Sequence, residues 1–278
     1  MFLPRVLLLF FLLLGWQFPV FAQDVRVAGQ VLAQDSRAPV PFVNIGIRGK
    51  NIGTAADEAG RFSLPVPASR ANDTLTFSAV GYQEQAVSIH QLLRAPLFKV
   101  ELVEKTTALP EVVVRGRPEK TRRIGTTTHN PFLWGNLRTR GAHDIVEFAL
   151  LIPLHNVASR LVQAHIFLRR PTVDTVTLRL NFYRATAAQP GERLVEQPVM
   201  VRSAIRNGWL TIDLARYGLT LQADFYLSFE FLPEQQRPVP EFSYGAQLGG
   251  AALVRTSSLG TWRREPGASL AAYVTVKQ

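Results

Sequence analysis

The chain has 278 residues, a formal net charge of +10 and no cysteine. Its length suits two domains of roughly 100–200 residues each, and 47% hydrophobic against 19% charged residues exclude an intrinsically disordered chain. The lack of cysteine excludes disulfides, a thiolate nucleophile, a Cys-ligated metal and the acylated cysteine of a lipoprotein.

At the N-terminus, Arg5 precedes the apolar run Val6 to Leu14, and Val20-Phe21-Ala22 has the form of a cleavage site. This pattern predicts a secretory signal peptide over residues 1–22, with Gln23 as the new N-terminus. The alternative is an uncleaved anchor, but residues 6–22 are short for a span, and Gly15 and Pro19 interrupt them. No later apolar run approaches the length of a membrane span, so the chain is expected to be soluble after cleavage: periplasmic, outer-membrane-associated or secreted.

The charge is uneven. Residues 24–105 carry nine basic and eight acidic side chains, whereas residues 106–278 carry 21 and 13. Such an excess suits anionic envelope partners such as lipopolysaccharide or acidic glycans, or serves solubility alone. Nucleic acid is not an expected partner of an exported chain.

From Val25 the sequence reads as short strands between turns. Val25 to Val31, Val43 to Ile47, Arg61 to Leu64, Thr74 to Phe77, Gln85 to Ile89 and Phe98 to Val103 alternate or are briefly apolar, and His90 to Arg94 is the one candidate helical turn. About seven strands at such spacing predict a β-sandwich over residues 23–105. Asp57 to Gly60 suits a tight turn, and Gly81 a bend before Tyr82.

The blocks Gly29-x-Val31, Pro39-Val40-Pro41-Phe42-Val43-Asn44-Ile45, Gly53-Thr54, Asp57-Glu58-Ala59-Gly60-Arg61-Phe62, Leu75-x-Phe77 and Val80-Gly81-Tyr82 follow one another in this order. In this, about residues 25–103 resemble the carboxypeptidase-regulatory-like domain. The resemblance implies a transthyretin-like sandwich of seven strands, as found at the N-terminus of bacterial TonB-dependent outer-membrane receptors. It implies no peptidase activity, because the zinc-binding domain of the carboxypeptidases is absent.

Residues 106–125 read as a basic linker. Within it, Leu109 to Gly116 resembles the stretch that follows this domain in many such receptors. Glu111, Val112, Val113 and Val114 could therefore add a strand to a TonB-type partner, or simply close the domain. No plug or barrel follows, so the receptor function is not carried over.

Residues 126–278 predict a second sandwich, jelly-roll-like, with strands at Glu147 to Ile152, Val162 to Arg169, Val176 to Tyr183, Val199 to Val201, Trp209 to Leu214, Phe225 to Phe231, Ala251 to Val254 and Ala271 to Val276. The expected fold is thus all-β with two sandwiches. Trp209 and Trp262, each after a glycine turn, read as core plugs or as rim aromatics.

The chemistry searched for is sparse. The sequence holds no Gly-x-Ser-x-Gly elbow, no His-Glu-x-x-His helix, no P-loop and no dinucleotide fingerprint, and His143 and Glu147 are wrongly spaced for zinc. No cofactor or metal is expected. Alternation places His165 and Phe167, then Arg179, Asn181 and Tyr183, then Tyr226 and Glu230 on strand faces opposite the apolar ones. If the strands share a sheet, this mixed aromatic and hydrogen-bonding face can hold a sugar or peptide; the alternative is an ordinary half-exposed face, or one covered by the first domain. The expectation is a non-enzymatic envelope protein with a binding or structural role and a glycan or envelope protein as partner. The alternatives are a glycan hydrolase with catalytic acids in the second domain, or an accessory of a TonB-linked uptake system.

Overall fold

A computed structural model describes residues 24–94, 97–105, 119–136, 144–169, 175–187, 189–204, 206–233 and 243–278. The expected signal peptide and the strand Glu111 to Val114 lie outside the described residues. The described chain is all-β, with one four-residue helix and two short 3₁₀ turns.

The first sandwich contains β1 (Val25–Ala33), β2 (Asn44–Ile47), β3 (Ile52–Ala55), β4 (Arg61–Val66), β5 (Thr74–Ser78), β6 (Gln85–Ser88), the helix α1 (Ile89–Leu92) and β7 (Phe98–Leu102). A sheet ordered β4-β1-β7 faces one ordered β3-β2-β5-β6. The inward positions of the alternating strands, among them Val27, Val31, Ile45, Leu64, Leu75 and Val100, fill one core. Phe62 and Phe77 meet edge to face there, with ring centres 5.5 Å apart. The Asp57 turn forms as its residues require: Asp57 Oδ1 accepts from the amides of Ala59 and Arg61, each at 2.8 Å, and Gly60 takes φ 70°.

The second sandwich contains β8 (Thr121–Gly125), β9 (Trp134–Asn136), β10 (Val146–Ile152), β11 (Ser159–Arg169), β12 (Thr175–Ala185), β13 (Pro190–Arg193), β14 (Val199–Ala204), β15 (Gly208–Asp213), β16 (Thr220–Leu221), β17 (Phe225–Leu232), β18 (Ser243–Arg255), β19 (Arg263–Leu270) and β20 (Ala272–Lys277). One sheet runs β8-β20-β11-β15 and the other β10-β17-β12-β14. Counting these eight in chain order, the sheets read first-eighth-third-sixth and second-seventh-fourth-fifth, which is the strand order of a jelly roll. The hairpin β18-β19 is an addition. β18 starts beside β9 and β11 in one sheet and ends beside β10 in the other, with a register shift at Leu248/Gly249 on the way.

The basic linker is shorter than expected. Thr121–Gly125 is an edge strand on β20, and Lys120 and Gln278 exchange two backbone hydrogen bonds. Ile124 is its only large apolar residue, so backbone pairing rather than hydrophobic alternation makes it a strand, and its charged side chains suit an exposed edge. Among the described residues, no helix is long and apolar enough to cross a membrane.

Candidate functional site

The expected mixed face divides in two. β11 lies in one sheet of the jelly roll, and β12 and β17 lie in the other. His165 and Phe167 therefore stand on the opposite side of the sandwich from Arg179, Asn181, Tyr183, Tyr226 and Glu230. Each group does point away from the jelly-roll core, as alternation requires, because Ile166, Leu168, Leu178, Leu180, Phe182 and Phe229 fill that core.

The group on β12 and β17 is not solvated. All five side chains are buried, and Glu230 and Glu147 of the neighbouring β10 have no exposure at all. The first sandwich covers Arg179 and Glu230 through Phe42 and Asn44, whereas Tyr183 and Tyr226 pack with Leu253 and Trp262 of the second. Arg179 grips Glu230 with both ends of its guanidinium fork, Nε to Oε2 at 2.6 Å and Nη2 to Oε1 at 2.8 Å. Arg179 Nη1 donates to the Phe42 carbonyl at 2.7 Å, and Nη2 to Asn44 Oδ1 at 2.9 Å. Asn44 Nδ2 returns a bond to Glu230 at 2.8 Å. Phe42, just before β2, has φ 53°, rare for a bulky residue, and in that conformation its carbonyl meets Arg179.

A second carboxylate continues the network. Glu147 accepts from Asn181 Nδ2 at 3.0 Å, from the Tyr183 hydroxyl at 2.9 Å, from Arg255 Nε at 2.9 Å, and from Ser228. Asn181 Nδ2 also donates to Glu230 at 2.7 Å and so joins the two halves. Burial by itself would raise the Glu230 carboxyl, but the Arg179 charge and the bonds from Arg179 and Asn181 outweigh it and bring the group down to about 2. Burial, reinforced by the Glu147 charge, pushes the Tyr183 hydroxyl up. Glu230 is therefore ionised against Arg179.

Close backbone approach completes this junction. A Cβ on Gly46 or Gly53 would lie 2.5 or 2.6 Å from the Ser258 carbonyl oxygen. The Gly49 amide donates to the Leu259 carbonyl at 2.9 Å, and Asn51 Oδ1 accepts from the Thr261 amide at 3.0 Å. Phe42 and Ala55 of the first sandwich pack with Ile145 and Leu232 of the second. Sequence reasoning missed Glu147, Asn44 and Arg255. A signal existed at Glu147, a charge inside the otherwise apolar run Ile145 to Ile152; Asn44 sits in a block read only for its fold.

The opposite sheet has an open face. Across β11 and β15, Gln163 stands opposite Asp213, His165 opposite Thr211 and Phe167 opposite Trp209; across β11 and β20, His165 stands opposite Tyr273. The His165 ring stacks on Tyr273 at 4.1 Å, and its nitrogens meet the Thr211 and Thr275 hydroxyls, each at 3.0 Å. Burial, helped by the Arg123 charge, lowers His165 to about 4, so the ring is neutral at pH 7, donating from one nitrogen and accepting at the other. Trp209 stands edge-on to Phe167 and to Tyr273, at 5.4 and 5.0 Å. His129 stacks on Phe167 at 3.7 Å, and Arg123 lies over Tyr273. His165 and Tyr273 thus form a fixed floor, while Trp209 and Gln163 are half-exposed and Thr211, Asp213 and Arg123 exposed. Trp209 is therefore a face aromatic and not a plug of the jelly-roll core; Trp262 is half-buried beside Arg255, 4.6 Å from its guanidinium carbon. No group of three or more His, Asp or Glu among the described residues could hold a metal ion.

Residues 27–114 match the family model of the CarboxypepD_reg-like domain. The first sandwich is a CarboxypepD_reg-like domain. Over 114 residues the chain is 32% identical to TonB-dependent receptor P3 of Formosa agariphila, a match covering 41% of this chain and 11% of that protein. The chain thus spans a small part of this relative's length. Among solved structures it is similar to the clostridial cysteine protease Cwp84 after propeptide cleavage, with TM-score 0.40, 8% identity, and 92% and 71% of the two chains covered. A structure of the cysteine protease and lectin-like domains of Cwp84 from Clostridium difficile gives TM-score 0.39, 7% identity, and 92% and 63%.

Proposed function

We propose that the chain is an exported, non-catalytic binding module of the bacterial cell envelope, in which the CarboxypepD_reg-like domain is a rigid platform and the jelly roll recognises a glycan. The domain match and the partial identity to an outer-membrane receptor support the envelope setting. The observation that carries the recognition is the open face of β15, β11 and β20. There the half-exposed indole of Trp209 is held by Phe167 and Tyr273 and bordered by Gln163, Thr211 and Arg123. An aromatic ring next to amide, hydroxyl and guanidinium groups suits the C–H face and hydroxyl rim of a sugar.

The state of Glu147 and Glu230 supports a non-catalytic reading. Both are without exposure and tied to Arg255 and Arg179, so neither carboxylate is open to a glycosidic bond. Screening a polysaccharide array with the wild type and with Trp209→Ala tests the proposal. Binding that falls at least about tenfold in the variant supports it; no binding by the wild type, or equal binding by both, overturns it. The receptor match also favours a TonB-type partner for residues 111–114. Capture by a TonB periplasmic domain, lost on deleting residues 109–116, would support that contact; capture unchanged by the deletion would end it.

A further inference from the structure

Above the buried network the two sandwiches leave a cleft of about 630 Å³, within the range of small-molecule sites. The first domain contributes Arg48, Glu84 and Lys105, and the jelly roll contributes Glu192, Arg193 and Glu196. Tyr183 and Arg255 of the network also line it.

The ion pairs at and beneath this cleft close one by one. Glu84 meets Arg48 at 2.6 Å, Glu196 meets Lys105 at 2.5 Å, and Glu192 meets Arg184 at 2.7 Å. Glu147 meets Arg255, and Glu230 meets Arg179 at 2.6 Å. Arg193 is a sixth cation. Among the described residues no carboxylate pairs with it; its guanidinium carbon lies 5.9 Å from the centre of the Tyr183 ring, and its buried Nε has no hydrogen-bond partner. Buried donors are normally satisfied, and a guanidinium fork matches a carboxylate with two parallel bonds.

We propose that this cleft holds a small polar ligand carrying one carboxylate, which Arg193 receives. Of the lining cations, Arg48, Lys105 and Arg255 each have a carboxylate and Arg193 has none among the described residues, so the place for an incoming carboxylate is at Arg193. Tyr82 at the rim of the lining adds a hydroxyl, which suits a polar body on the ligand. The bare carboxylate chemistry is shared by a sugar acid and by a peptide C-terminus. This site is separate from the open face of β15 and β11, and it stands or falls without the glycan reading.

Titration calorimetry on the whole chain with D-glucuronate, N-acetyl-dialanine and neutral D-glucose tests it. The proposal expects at least one carboxylate probe to bind tighter than glucose and to weaken with added salt. It also expects Arg193→Gln to lose about tenfold or more of that affinity and Arg193→Lys to keep part of it. The probe that binds identifies the ligand's source. Absence of binding of both carboxylates to the wild type, or no preference over glucose, overturns the site without recourse to any variant. Equal affinity in a folded Arg193→Gln overturns it as well.

Discussion

The two outer faces of the jelly roll are built by the same alternation. On β12 and β17, the residues pointing away from the core include Arg179, Asn181, Tyr183, Tyr226 and Glu230; on β11 and β20, they include Gln163, His165, Phe167 and Tyr273. On the first face Arg179 and Glu230 lie buried against the CarboxypepD_reg-like domain, and the charges there exist as pairs. The second keeps polar groups at its edge and aromatic rings at its floor, with no buried ion pair. Cover, and not the side chains' direction, determines which face has to neutralise itself. The buried pair ties the two domains together, and the open face keeps its polar edge exposed.

The largest expected effect breaks the covered face. Glu230→Ala leaves Arg179 charged and unpaired in a dry junction, which should cost about 3–5 kcal/mol in urea unfolding. Next comes acid. His165 is held near 4 in the fold against 6.5 when unfolded. Between those values the unfolded chain takes up a proton that the folded one refuses. Stability should therefore be full above pH 6.5 and fall by roughly 2–3 kcal/mol as pH drops toward 4. Unfolding of wild type and His165→Gln at both ends of that window measures this contribution, which the variant should lack. Glu230, lowered to about 2, contributes in the same direction at lower pH: its share holds above the ordinary carboxylate range and is lost as pH falls toward 2.

A smaller effect tests the fit between domains. Gly46→Ala sets a methyl 2.5 Å from the Ser258 carbonyl, a backbone atom that cannot swing away, so a loss of about 1–3 kcal/mol is expected in the same assay. The smallest effect belongs to the open face. Trp209→Ala should change stability by no more than about 1–2 kcal/mol, because the indole is only half-buried and lies outside the jelly-roll core. A large loss there would make Trp209 a packing residue and remove the contrast between the faces.

Most strands were legible because their apolar residues recur with period two. Phe225 to Phe231 is the clearest case, and β17 spans Phe225–Leu232. The Asp57 turn and six strands of the first domain were legible in the same way; β3, Ile52–Ala55, follows a glycine-bounded stretch that read as a break. Alternation ranks the two sides of a strand, but it does not say what covers the polar side. Tyr226 and Glu230 therefore read as solvated, although an element 186 positions away in the chain, Asn44, bonds Glu230. Nor does it assign strands to sheets, so His165 and Arg179 were placed together and lie apart. β8 was read as linker because its pairing is carried by the backbone.

The central claim is that the junction makes the two sandwiches one unit. From Gln23 onward the tryptophans are Trp134, Trp209 and Trp262, all in the jelly roll. Urea unfolding followed by tryptophan fluorescence thus watches the second sandwich alone, while far-ultraviolet circular dichroism watches both. Coincident transitions with one midpoint are predicted for the wild type. A dichroism change that runs ahead of the fluorescence, with the first domain melting while the jelly roll stands, would contradict the claim.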